Sequence, residues 1–140
     1  ANKIYSPSYV SLESALAYYH LIPESVYHVT SVATKKTISF ETQLCCFRYC
    51  TLKPKLFTDY IIIRDNELPF KIANPEKAIF DFLYLKSHYK SKDDFYELRI
   101  NSEIFKKQVN RKKFDRLVAI SGNHALYKRA QTLWEVIKNS

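Results

Sequence analysis

Asn74-Pro75-Glu76-Lys77-Ala78-Ile79-Phe80-Asp81-Phe82-Leu83-Tyr84-Leu85-Lys86 decides the fold. The Asn74 side-chain oxygen can accept an orphan backbone N–H of a first helical turn. Pro75 then stands at the first helical position, where an N–H would have no partner anyway. Glu76 puts a negative charge at the positive end of the helix dipole. Ala78, Ile79, Phe82, Leu83 and Lys86 share one face at helical spacing. Phe80, Tyr84 and Leu85 carry apolar surface round the other sides. A helix that is apolar nearly all round is a buried one. The spacing therefore predicts a central helix with a sheet on one side and later helices on the other. Of its two carboxylates, Glu76 and Asp81, one reads as a cap charge and the other as tied to a backbone group or an arginine.

Working outward toward the N-terminus, Ala1–Val10 reads as an extended incoming loop. Ser11 reads as the cap of a first helix, with Val10 and Ala15 as its hydrophobic staple. Leu12, Ala15, Leu16 and Tyr19 form the apolar face of that helix, and Pro23 helps end it. The period then changes to two. Tyr27–Val32, Thr37–Thr42, Cys46–Leu52, Tyr60–Arg64 and Leu68–Ile72 read as five short strands rich in β-branched and aromatic residues. Asp65-Asn66-Glu67 reads as a tight hairpin turn, and Pro69 suggests an edge position or a bulge.

Beyond Lys86 the pattern is helical. Ser91-Lys92-Asp93-Asp94 is close to a capping box, with Phe95 and Leu98 facing inward. Ile104-Phe105 belongs to a short connector or helix. Arg111–Ser121 carries Phe114, Leu117 and Val118 on one face, and Gly122 stands where a helix C-cap needs positive φ. Asn123 can cap a last helix that buries Leu126, Ala130, Leu133 and Ile137, with Trp134 at the edge of the stripe. The fold class is α+β: a small mixed or antiparallel sheet of about five short strands between an N-terminal helix and a C-terminal group of helices. No linker or repeat interrupts the chain. Residues 1–140 read as a single domain, with a helix–strand part over 7–85 and a basic helical part over 86–140.

Composition removes several kinds of function. A chain of 140 residues, 46% hydrophobic and 15% aromatic, can build a substantial core. With one glycine in the chain, neither a Gly-rich phosphate loop nor a dinucleotide fingerprint can be written. Cys45, Cys46 and Cys50 are an odd, clustered set, a poor disulfide framework, and read as reduced thiols in a strand. His20, His28, His88 and His124 are scattered singly, so no metal-ligand spacing appears. There is no Gly-x-Ser-x-Gly elbow and no Asp/Glu-x-Lys of a metal nuclease. Glu97-Leu98-Arg99 comes nearest, and reads as a surface ion pair. The domain reads as non-enzymatic, with no cofactor. The longest apolar string, Tyr60–Ile63, is far below the ~18 residues of a membrane helix, and no signal-peptide pattern opens the chain. A cytoplasmic protein with no membrane partner is expected.

The charge is +8 and unevenly placed. Residues 1–85 hold nine Lys/Arg against eight Asp/Glu, whereas residues 86–140 hold 13 against 6. Lys106, Lys107, Arg111, Lys112, Lys113 and Arg116 lie close together, and Lys112 and Arg116 share a helix face away from Phe114 and Leu117. Lys128 and Arg129 flank the start of the last helix, and Lys35, Lys36, Lys53 and Lys55 gather at strand ends. Such stripes can neutralise phosphates without reading sequence, and these twelve residues are the candidate nucleic-acid contacts. The competing reading is a solvated face that keeps the domain soluble. Arg111–Ser121 and the helix after it also mimic a helix-turn-helix, although the commoner αα-hairpin is the better reading, since neither helix shows a row of base-reading side chains.

Three ordered segments resemble the AbiEi family of abortive-infection antitoxins, regulators of phage defence in bacteria. Pro7-Ser8-Tyr9-Val10-Ser11-Leu12-Glu13-Ser14-Ala15-Leu16 is similar to the family's P-S-Y-x-S-L-E-S-A-L segment. Val29-Thr30-Ser31-Val32, followed by Thr34-Lys35-Lys36-Thr37, resembles its T-S-V strand and basic turn. Ile72-Ala73-Asn74-Pro75-Glu76-Lys77-Ala78-Ile79-Phe80-Asp81 resembles its I-A-x-P-E-K-A segment. The resemblance implies an antitoxin of a toxin–antitoxin system that also autoregulates transcription. It implies promoter DNA bound mainly through an N-terminal winged helix-turn-helix, and a nucleotidyltransferase toxin countered without a stable complex. Because the match begins at Pro7, this chain is expected to be the C-terminal domain. The alternatives are a divergent nuclease-like enzyme and a dimerisation module of a DNA-binding regulator.

Overall fold

The computed structural model describes residues 7–23, 28–41, 46–64 and 69–139. The strands are β1 (Ser8–Val10), β2 (His28–Ala33), β3 (Ile38–Glu41), β4 (Cys46–Thr51), β5 (Tyr60–Ile63) and β6 (Phe70–Ala73). The helices are α1 (Leu12–Tyr18), α2 (Pro75–Leu85), α3 (Lys92–Glu97), α4 (Ser102–Gln108), α5 (Arg111–Ser121) and α6 (His124–Lys138), and a 3-10 turn covers Pro54–Leu56. The fold is α+β, with a mixed sheet in the order β3-β4-β2-β1-β6-β5.

The strand missing from the sequence reading is β1, and it lies near the middle of the sheet. It runs antiparallel to β2, with Tyr9 opposite Val32, and parallel to β6, with Val10 opposite Ile72. Three residues are too few for a period of two to show, so only partners on both sides reveal the strand. The antiparallel pairs β3–β4 and β5–β6 follow each other in the chain, while β2 pairs with β4 in parallel from His28↔Cys46 to Ala33↔Thr51. The turn read at Asp65-Asn66-Glu67 and Cys45 lie outside the described residues. Pro69 is corrected: β6 is an interior strand, and Pro69 precedes it, so its missing N–H leaves no gap in the ladder.

The central helix forms as its sequence requires. Asn74 Oδ1 accepts the Lys77 N–H at 2.9 Å, Pro75 opens the helix, and every residue from Glu76 to Leu83 is buried. It packs against α1, β6, α5 and α6. One hydrophobic core runs from Tyr9 and Leu12 through Phe80 and Phe82 to Phe114, Leu133 and Ile137, so the strand-rich part and the basic helical part share it. Burial of each Phe contributes about 1.5–3 kcal/mol.

The cap of α1 differs from expectation. Ser11 occupies the N-cap position but makes no side-chain cap bond, because its hydroxyl donates to Asp81 instead. A residue distant in the chain replaces it. Thr30 Oγ1 accepts the Ser14 N–H at 3.0 Å, and Ser14 Oγ accepts the Thr30 N–H at 2.8 Å. This is the reciprocal logic of a capping box, with the capping residue supplied by β2.

The later helices carry their signals locally. Ser91 and Asp94 form a capping box at α3. Asn101, Asn110 and Asn123 each accept the backbone N–H three residues on, at 3.0–3.1 Å. Gly122 closes α5 at φ +63°, where a Cβ would be strained.

Candidate nucleic-acid interface

The fold brings the two lysine pairs of the strand ends together. Leu52 N–H donates to Ala33 O at 2.8 Å, and Thr51 Oγ1 donates to Lys35 O at 2.7 Å. The β2–β3 turn with Lys35 and Lys36 therefore lies beside the exit from β4 with Lys53 and Lys55, and all four side chains are exposed.

The second cluster lies on α4 and α5. Phe105 on α4 and Phe114 and Leu117 on α5 are buried. That orientation leaves Lys106, Lys107, Arg111, Lys112, Lys113 and Arg116 exposed. Two of them have acidic neighbours: Arg111 Nε is 3.6 Å from Asp115 Oδ2, and Arg116 Nη2 is 3.7 Å from Asp59 Oδ1. Arg111, Asp115 and Arg116 are half exposed or more, and both separations exceed 3.5 Å, so each pair contributes little. Asp59 follows the Pro54–Leu56 turn by three residues, so the Arg116 contact ties α5 to the segment that carries Lys53 and Lys55.

On α6 the two candidates separate. Lys128 is exposed and lines an open groove of about 470 Å³ with Lys90 and Asn123. Arg129 lines the same groove but is largely engaged inside the fold. It is only 9% exposed, and its Nη1 donates to Leu83 O at 2.7 Å and to Tyr89 O at 3.4 Å. The guanidinium closes the C-terminal end of α2, whose last carbonyls need donors. Since α6 also packs against α2, α3, α4 and α5, it has the setting of a helix in an αα-hairpin.

A cluster of a different kind lies inside, where Lys77 and Asp81 are both 0% exposed. Lys77 Nζ donates to Asp81 Oδ1 at 2.5 Å and to Tyr9 Oη at 2.8 Å. Asp81 Oδ2 accepts from Tyr9 Oη at 2.8 Å and Ser11 Oγ at 2.7 Å. The Lys77 ammonium also lies over the Phe80 and Tyr9 rings, 5.1 and 5.5 Å from their centroids. Burial pushes the Asp81 carboxyl up and the Lys77 ammonium down, and each partner's charge opposes that shift. Burial and then Asp81 push the Tyr9 phenol far up. Leu12, next to Ser11, is held at φ +58°, a left-handed conformation that costs a bulky residue about 1–3 kcal/mol.

This network ties β1 to α2 and is closed to solvent. Asp81, read as one of two carboxylates of which one meets a backbone group or an arginine, meets the Lys77, Tyr9 and Ser11 side chains instead. The backbone partner is real at Glu76, whose Oε2 accepts the Asn110 N–H at 2.8 Å and joins the start of α2 to the start of α5. The i,i+4 spacing of Lys77 and Asp81 could have flagged the pair, but on a helix that spacing usually belongs to a surface.

Cys46 and Cys50 are free, half-buried thiols on β4, and burial pushes the Cys50 thiol up. Glu97 and Arg99 are exposed around the end of α3. Among the described residues, no three His, Cys, Asp or Glu side chains come together as metal ligands, and no helix is long and apolar enough to cross a membrane. No family model matches the chain, and no curated protein matches it.

Proposed function

We propose that this chain is the non-enzymatic part of a bacterial antitoxin and transcriptional autoregulator of the AbiEi type, active in the cytoplasm, and that it holds nucleic-acid phosphates on its basic surface. In this reading promoter DNA is bound mainly through a separate winged helix-turn-helix, and the toxin is a nucleotidyltransferase countered without a stable complex. The three segments that resemble the family support the assignment. They form β1–α1, β2 with its turn, and β6–α2, and they meet at Tyr9, Ser11, Thr30, Lys77 and Asp81. Residues spread over the first 81 positions thus act as one unit.

The observation that carries the phosphate role is the outer face of α5. Lys112 and Lys113 stand exposed there with no carboxylate within ion-pair distance among the described residues, beside the segment that carries Lys53 and Lys55. Binding through such a face is sequence-tolerant and falls steeply with salt, because neutralised phosphates release counterions. Changing Lys112, Lys113 and Arg116 together to alanine should flatten the log–log salt dependence of duplex binding by about one unit per lost contact. Wild-type protein that leaves duplex DNA unbound at low salt would refute the phosphate role.

A further inference from the structure

A recess of about 340 Å³ opens where α4, α5 and α6 meet, lined by Lys106, Arg111, Gln131, Trp134, Glu135 and Lys138. Its volume is at the small end of ligand pockets, suited to one nucleotide unit rather than a run. Three cations from three helices converge on it. Lys106 and Lys138 have no carboxylate within ion-pair distance among the described residues, and the acid in the lining, Glu135, is 3.5 Å from Lys92. The recess is therefore electropositive.

One wall of the recess is aromatic. Phe105 and Phe114 meet the Trp134 indole edge-on, at 80° and 71° and centroid distances of 4.9 and 5.8 Å. The Arg111 guanidinium lies over the indole, 4.8 Å from its centroid, and its Nη2 donates to Gln131 Oε1 at 3.4 Å. A guanidinium held over an indole, with its side chain still half exposed, offers a flat cationic surface on which a nucleobase can stack. Lys106 and Lys138 also line the recess and can hold the flanking phosphates.

We infer that this recess binds one unpaired nucleotide of single-stranded nucleic acid, its base stacked on the Arg111–Trp134 platform and its phosphates held by Lys106 and Lys138. A duplex cannot use the platform, because the faces of its bases are already stacked. The inference rests on the proposed nucleic-acid role for the class of ligand. It differs from that role in strandedness, and it joins Trp134 and Lys138 to Lys106 and Arg111 of the candidate set.

Trp134 is the sole tryptophan in the chain, so its fluorescence reports on the recess directly. Single-stranded oligothymidylate should quench it at concentrations where a blunt duplex with the same number of phosphates does not. Arg111→Lys keeps the charge and loses the plane, and should weaken single-strand affinity about tenfold, as expected for one lost base stack. Lys138→Ala, at an exposed position outside the candidate duplex contacts, should weaken it and leave duplex binding unchanged. Equal quenching by duplex, equal quenching by inorganic phosphate at the same phosphate concentration, or full single-strand affinity in Arg111→Lys would each overturn the inference. Salt-dependent duplex binding without single-strand quenching would remove the recess and leave the α5 reading intact. Quenching that survives while duplex binding is absent would do the reverse.

Discussion

Lys77 and Asp81 stand one turn apart on α2 with Nζ 2.5 Å from Oδ1, and neither side chain reaches solvent. An i,i+4 ion pair on an exposed helix contributes a few tenths of a kcal/mol. In the core, each partner alone would be an uncompensated buried charge. Lys77→Met or Asp81→Leu alone should therefore cost about 3–5 kcal/mol, whereas the double replacement should cost much less than the sum of the two. Urea unfolding of the four proteins in a double-mutant cycle measures this. Strict additivity would show that the two charges do not depend on each other.

The α1 cap gives a second test. Thr30→Val removes the acceptor for the Ser14 N–H and the donor to Ser11 O, at a cost of about 1–2 kcal/mol. Ser14→Ala removes the reciprocal bond, so the two substitutions should be coupled. Ser11→Ala should instead be coupled to substitutions at Asp81. A Ser11→Ala effect that persists unchanged in an Asp81→Leu background would place Ser11 in the cap after all.

For the central helix, Asn74→Ala should cost about 1 kcal/mol through the lost bond to the Lys77 N–H. Phe82→Ala, at a position 3% exposed, should cost about 3–5 kcal/mol through the cavity it leaves. Denaturant midpoints would read both, and a Phe82→Ala protein as stable as wild type would contradict the burial of α2.

Tyr19 sets an alkaline expectation. Its hydroxyl donates to Ala73 O at 2.6 Å, and its pKa is pushed up to about 12, first by burial and then by Tyr18 and Glu76. The folded value lies above the unfolded one of about 10. The stabilisation is therefore complete below pH ~10 and lost as pH rises through about 12. Phenolate absorbance in a pH titration should lose a late component in Tyr19→Phe. Wild-type and Tyr19→Phe curves that differ only near pH 10 would show an unperturbed phenol.

Local chemistry in the sequence was enough to place α2, its Asn74 cap, the Ser91–Asp94 capping box, the Gly122 C-cap and the buried stripe of α6. Each of these signals lies within a few residues and depends on nothing distant. The basic residues were equally visible, since charge is a property of composition. The sequence could not show which of those cations are already engaged. Arg129 donates to carbonyls 46 and 40 positions before it, at Leu83 and Tyr89, and Arg116 lies beside Asp59.

The tertiary structure alone decided that Ser8–Val10 is a central strand, that Thr30 caps α1 in place of Ser11, and that a lysine and an aspartate share the core with Tyr9. It also assembled the Arg111–Trp134 recess from three helices. The physical reason is common to all four: each depends on partners far apart in the chain. Tyr9 meets Asp81 across 72 positions. Pairing on both sides of a three-residue strand, or burial of a charge beside its counter-charge, exists only once the chain has closed those loops.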